Sequence, residues 1–223
     1  MKVLKLGGSA VTNKAGFEEA RLELISELCD AIAENYEKLV LVHGAGSFGH
    51  PHVRKFGLSN PKSVAKIHEA CLRLNAIVCR ELVARDVPAV PIHPIEGFSV
   101  EKVEEFLKKG FVPVLHGDVV IDGGFGVLSG DDIAVEVARE LKAELLGFAT
   151  SVEGVIIDGR VARVVRREDL DKIGAASSDV TGGMRAKVEK AMGAGCRVYI
   201  FKASAENLRR FLAGEAVGTE VRE

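Results

Sequence analysis

Four short stretches of this 223-residue chain hold residue types that can handle phosphate. The first is Lys5-Leu6-Gly7-Gly8-Ser9, with Lys14 a little further on. Glycine lets backbone N–H groups approach an anion with no Cβ in the way. Phosphoryl transfer asks for fixed donors and cations around the moving group and little covalent work from the protein. A tight turn flanked by surface lysines fits the same residues. The second stretch is His43-Gly44-Ala45-Gly46-Ser47-Phe48-Gly49-His50-Pro51. It lacks the Gly-Lys-Ser/Thr of a Walker A loop. Gly44 to Gly49 has the literal spacing of a dinucleotide fingerprint, but no acidic residue ends a second strand about 20 residues on. A glycine-lined loop ending in His50 suits a phosphate held by backbone N–H groups and one imidazole. Taken alone, His50 fits a core or helix-end histidine better.

The third stretch is Ser129-Gly130-Asp131-Asp132. Acids at a helix start are ordinary caps. They also offer a carboxylate that can pair with Lys5 or Lys14, aim them at phosphates and keep them protonated. The fourth is Asp179-Val180-Thr181-Gly182-Gly183-Met184 with Lys187 one turn on. It reads either as an anion-binding helix start or as a capped helix with a solvated lysine.

These stretches need a scaffold that brings them to one edge. Strand-like runs are read at 3–6, 39–42, 87–92, 111–115, 144–148 and 197–201, and helical runs at 17–35, 63–85, 99–109, 131–142, 184–194 and 205–213. Asp122-Gly123-Gly124 and Asp158-Gly159 mark two hairpins, and Gly218 to Val221 reads as a last edge strand. Alternation of this kind predicts an α/β fold: a mainly parallel central sheet covered by helices on both faces, a three-layer αβα sandwich. Ligands in such sheets sit at the C-terminal strand ends, where the glycine clusters fall. Residues 1–223 read as one domain with no linker or repeat.

Composition narrows the function. Hydrophobic residues make up 47% and charged residues 28%, and the formal net charge is −2. The basic residues are scattered, which argues against a nucleic-acid partner. No run approaches the roughly 20 apolar residues of a membrane span, and the start does not read as a signal peptide, so a cytoplasmic location is expected. Cys29, Cys71, Cys79 and Cys196 contain no Cys-x-x-Cys and read as buried free thiols.

In this order, the motifs make the sequence resemble the amino-acid kinase superfamily and, within it, the isopentenyl phosphate kinases. The resemblance runs from Lys5–Ser9 through His43–Pro51, His116-Gly117-Asp118-Val119, Ser129–Asp131 and Asp179–Met184 to Gly218-Thr219. It implies transfer of the γ-phosphoryl group of ATP, with Mg²⁺, to isopentenyl phosphate. It also implies a homodimer, an N-terminal part that binds the acceptor and a C-terminal part that binds the nucleotide. Lys5 and Lys14 would stabilise charge on the transferring group, and Asp131 would orient the lysines, with Asp132 the alternative. Gly7, Gly8, Ser9, Gly46, Thr150, Gly154, Gly183 and Lys187 would contact ATP. Ala45, Gly46, Gly49, His50 and Gly130 would bind the acceptor, His50 through its phosphate. No protein-bound metal and no general base are implied, because a phosphate acceptor is already anionic.

The sequence departs from the family where a Thr-Asp-Val-Asp-Gly-Val-Tyr loop is usual: here it reads Thr150-Ser151-Val152-Glu153-Gly154-Val155-Ile156, which leaves the nucleotide preference open. The chain is also shorter than is typical between His50 and the long helix and after Asp158. The apolar tail of the acceptor needs a greasy wall, for which Ile67, Leu74, Ile77 and Val78 are candidates alongside a plain core role. Two other readings stand beside this one: a kinase acting on fosfomycin or another small phosphonate, and a non-catalytic nucleotide-binding member.

Overall fold

The computed structural model describes residues 1–174 and 183–223. Asp179, Val180, Thr181 and Gly182 of the fourth motif lie outside the described residues.

The first half of the chain supplies one side of the central sheet. Strand β1 (Lys2–Leu6) leads into a one-turn helix α1 (Gly8–Val11), followed by α2 (Leu22–Ala33), β2 (Leu39–His43), α3 (His50–Phe56) and the long α4 (Pro61–Val83). Next come β3 (Ala89–Ile92), α5 (Val100–Lys108), β4 (Val112–His116) and the hairpin β5 (Asp118–Val120) and β6 (Gly126–Leu128). The second half runs through α6 (Gly130–Glu140), β7 (Leu145–Thr150), the small hairpin β8 (Ile156–Ile157) and β9 (Arg160–Val161), β10 (Val164–Val165), α7 (Gly183–Met192), β11 (Arg197–Lys202), α8 (Ala205–Leu212) and β12 (Thr219–Val221). Helix starts follow local chemistry. Asn60, Ser99, Ser129 and Ser204 each accept a backbone N–H of the first turn of α4, α5, α6 and α8.

Eight strands form one sheet in the order β10-β12-β11-β7-β1-β2-β4-β3, parallel except where β12 meets β11. Strand alternation then sorts the side chains. Leu4, Leu6, Leu41 and Ala149 face one core with residues of α2, α4 and α8, whereas Val3, Val42 and Phe148 face a second core with α6 and α7. Lys5 shares the parity of Val3, so its side chain reaches the α6 side.

The αβα sandwich matches the expectation, with differences at its edges. Gly218–Val221 is not the sheet edge: β12 lies inside a two-residue edge strand, β10, which is too short to show periodicity. Helix α2 begins at Leu22 and not at 17, because residues 13–21 form a loop closed by a bridge between Thr12 and Ala20. Helices α1 and α3 add to the predicted set: Gly7 and Gly8 at the start of α1, and Gly49 and Pro51 at the start of α3, mask the helical pattern.

Candidate active site

Parallel strands β1, β2, β4 and β7 end at Leu6, His43, His116 and Thr150, and the loops leaving them surround a cavity of about 600 Å³. Its walls are glycine backbone where two loops cross. A Cβ on Gly8 would lie 2.5 Å from Gly46 N, and one on Gly44 would lie 2.6 Å from Gly8 N. Only glycines allow the first and second motifs to touch, and Gly46 also needs its φ of 51°. Gly130 is also tightly placed: a Cβ there would meet His43 O at 3.0 Å and Lys5 Cε at 3.3 Å, so its neighbours would have to give by a few tenths of an ångström.

At the centre sits a carboxylate between two lysines. Asp131 Oδ1 lies 2.6 Å from Lys5 Nζ, and Lys187 Nζ donates to Asp131 Oδ2. Burial alone would raise the Asp131 carboxyl, but Lys5 and Lys187 outweigh it and hold it well below the usual carboxylate range. Lys187 is pushed down to about 8 by burial and by the charge of Lys5, only partly offset by Asp131. The sequence reading had a carboxylate pairing with Lys5 or Lys14. The structure puts Asp131 between Lys5 and Lys187, while Asp132 accepts from Ser129 Oγ and pairs with Lys190 at 2.7 Å. The alternation of β1 and the turn of α7 decide this. Lys187 also lies over the Phe148 ring, 5.2 Å from its centroid.

Lys5, Gly7, Gly8, Ser9, Lys14, Ala45, Gly46, Gly49, His50, Gly130, Asp131, Thr150, Gly183 and Lys187 all line the cavity. Gly154 does not. It packs against Thr219, where a Cβ would come within 2.5 Å of Oγ1, so its small size serves the fold. Thr150 Oγ1 is turned to Val152 O and Phe201 O, which fixes the loop at 150–152. Of the apolar candidates on α4, Ile67 lines the cavity, Leu74 and Val78 belong to the main core, and Ile77 packs beside it. Ile67, Cys71, Val64 and Val119 form a third apolar cluster apart from both main cores, with Ala45 and Val53 against it.

Behind this cluster lies a polar network, buried at His43, Asn75, His116 and Asp118 and open to solvent at His93, that sequence reasoning did not assemble. Asp118 accepts from His68 Nδ1 at 2.7 Å and from Val119 N at 2.8 Å, and His116 Nδ1 lies 3.7 Å away. His116 Nε2 meets His93 Nδ1 at 3.0 Å, and His43 Nε2 meets Asn75 Nδ2 at 3.1 Å. Burial pushes His43 down to about 4, His116 down to about 2 and Asp118 up to about 6. Gly117, Asp118 and Val119 line the cavity, so the network sets the position of its wall. Its members come from β2, α4, the segment after β3, β4 and β5. No spacing in the sequence signals that juxtaposition.

Comparison with known proteins places this geometry. Residues 1–202 match the amino acid kinase family. The isopentenyl phosphate kinase of Methanocaldococcus jannaschii is 36% identical over 255 residues, covering 99% of this chain and 98% of that protein. The isopentenyl phosphate kinase of Arabidopsis thaliana is 33% identical, covering 86% of this chain and 72% of its own. Among solved structures, the product complex of Thermoplasma acidophilum isopentenyl phosphate kinase superposes with a TM-score of 0.83 at 26% identity, covering all of both chains. With the family matched over residues 1–202 and a relative 36% identical over nearly the whole of both chains, this chain belongs to the amino acid kinase family, in the branch of the isopentenyl phosphate kinases.

Proposed function

We infer that this protein transfers the γ-phosphoryl group of ATP to isopentenyl phosphate, giving isopentenyl diphosphate and ADP. The observation that carries the reading is the cavity's two-ended character. One end holds Lys5, Lys187 and Asp131 beside the glycine backbone of Gly7 and Gly8, and the other opens onto the separate cluster of Ile67, Cys71, Val119 and Val53. His50, at the start of α3, lines the cavity with both. A polyphosphate suits the first end, a short apolar tail suits the second, and an imidazole is suited to the acceptor's phosphate.

In this reading the N-terminal part, through the Gly44–His50 loop and α4, binds the acceptor. The C-terminal part, with the 150–152 loop and α7, binds the nucleotide. An acceptor phosphate oxygen attacks the γ-phosphorus while the bond from that phosphorus to the β–γ bridging oxygen breaks, and ADP departs with the bond's electron pair. Charge builds on the equatorial and bridging oxygens, where Lys5, Lys14 and Lys187 can stabilise it and the glycine N–H groups can donate. Asp131 holds Lys5 and Lys187 in place and takes no proton from the nucleophile, which is already ionised. Mg²⁺ is a hard cation that keeps oxygen ligands and comes with the phosphates. Of the described carboxylates lining the cavity, Asp131 is held by two lysines and Asp118 by His68, so the nucleotide would supply most of the metal's ligands. We further propose a cytoplasmic homodimer, in keeping with the family resemblance. No helix among the described residues is long and apolar enough to cross a membrane.

The test is ADP release with Mg-ATP and isopentenyl phosphate, dimethylallyl phosphate, fosfomycin or N-acetylglutamate, alongside His50→Ala. Turnover on isopentenyl phosphate is expected, with a loss of about 10²–10³ in kcat/KM in the variant, the scale of removing one donor from a charge-stabilising site. Silence on both prenyl phosphates would overturn the reading.

A further inference from the structure

Lys14 sits on the loop between Thr12 and Arg21, and its side chain is exposed at the cavity. A flexible four-carbon stem aims a charge poorly unless its backbone is fixed. The loop is pinned by Glu18, four residues on. Glu18 Oε1 accepts from His52 Nε2 at 2.6 Å, and Oε2 accepts from Arg73 Nη1 at 2.5 Å. The Arg73 guanidinium holds the Glu18 carboxyl below its ordinary value, so it is ionised at neutral pH. Glu18 also sits at a φ of 56°, a left-handed conformation that a non-glycine keeps only where its surroundings over-determine it. Those surroundings are the acceptor loop. Glu18 N donates to Ser47 O at 3.1 Å, Glu19 N donates to Ser47 Oγ at 3.1 Å, and Ser47 N donates to Thr12 Oγ1 at 3.0 Å.

The partners of Glu18 are informative. His52 stands two residues beyond His50 on α3, and Phe17 stacks on its ring with centroids 4.4 Å apart. The ring is buried, and its Nδ1 has no hydrogen-bond partner among the described residues, so Glu18 holds its one polar contact there. Arg73 stands on α4, the helix whose Ile67 and Cys71 face the apolar end of the cavity. One carboxylate therefore joins the segment bearing Lys14 to both helices that shape the acceptor side.

We propose that Glu18 is a positioning residue that acts through Lys14: by gripping His52 and Arg73 it sets the loop so that the lysine faces the transferring phosphoryl group when α3 and α4 are in place. The inference rests on the kinase reading above. The experiment compares wild type, Lys14→Met, Glu18→Gln and the double variant, with kcat, both KM values and Tm measured for each. Lys14→Met is expected to lower kcat by about 10²–10³, as loss of one transition-state charge contact does. Glu18→Gln should lower kcat roughly tenfold while changing the KM for ATP less than threefold, and the double variant should match Lys14→Met within about twofold, because residues acting as a unit are not additive. If Glu18→Gln does not fold, Arg73→Met replaces it under the same criterion. Losses that multiply in the double variant, or a kcat for Glu18→Gln within about twofold of wild type, would overturn the proposal. Absence of turnover in wild type would instead strike at the kinase reading itself.

Discussion

At the scale of single residues, burial and charge set the behaviour of this site. Asp118 has no exposed side-chain surface and is raised to about 6 by burial, with His68 acting the other way. The native state therefore keeps a proton that the unfolded chain has released above its ordinary value near 3.8. The associated stability is fully present below that value and is lost as pH rises through about 6. Asp118→Asn cannot titrate, so its stability relative to wild type should rise by up to about 3 kcal/mol between pH 4 and pH 7. Urea unfolding at a series of pH values checks this, and parallel profiles for the two proteins would count against it. Lys187 shows the opposite competition: burial and Lys5 pull it to about 8, and the negative charge of a bound polyphosphate would lift it.

At the scale of elements, the site depends on loops that touch without side chains. Gly8 opens α1 and lies against Gly46, with no flexible atom between them that could give way. Gly8→Ala should separate the first and second motifs at a cost of about 1–3 kcal/mol, as overpacking does. It should also abolish most turnover, because the glycine N–H groups of both loops would shift together. Thermal unfolding and steady-state kinetics on the same preparation check this, and a fully active Gly8→Ala would contradict the crossing-loop geometry. Gly154 makes the contrast. Its glycine was read as part of the nucleotide loop, yet its neighbour is Thr219, whose Oγ1 also accepts Val155 N at 2.9 Å. A glycine in sequence marks close approach and does not say to what. Helix α3 carries the same lesson, since Pro51 at its first turn and Gly57 at its end frame a seven-residue helix that the glycines before it conceal.

At the scale of the whole molecule, a nucleotide at the strand ends would tie β1, β2, α6 and α7 together. Ligand bound only to the native state adds about 2.7 kcal/mol at a hundredfold excess over Kd, or about 5–10 °C in Tm for a chain of this size. ADP or a non-hydrolysable ATP analogue with Mg²⁺ should produce that shift. Lys187→Met should lose most of it, and no shift at millimolar nucleotide would speak against the assigned cavity.

The sequence by itself determined the αβα sandwich, because strand runs and amphipathic helices alternate with periods that physics fixes locally. It also determined which loops carry glycine and charge, since those are properties of neighbours in the chain. Only the tertiary structure decided that Asp131 lies between Lys5 and Lys187, that Ile67 faces the cavity while Leu74 faces the core, and that Glu18 reaches His52 and Arg73. Each of these depends on which strand parity or helix face meets which neighbour. Those meetings are set by the order β7-β1-β2-β4 and by the packing of α3, α4 and α7 upon it, and strand order leaves no periodic trace in the sequence.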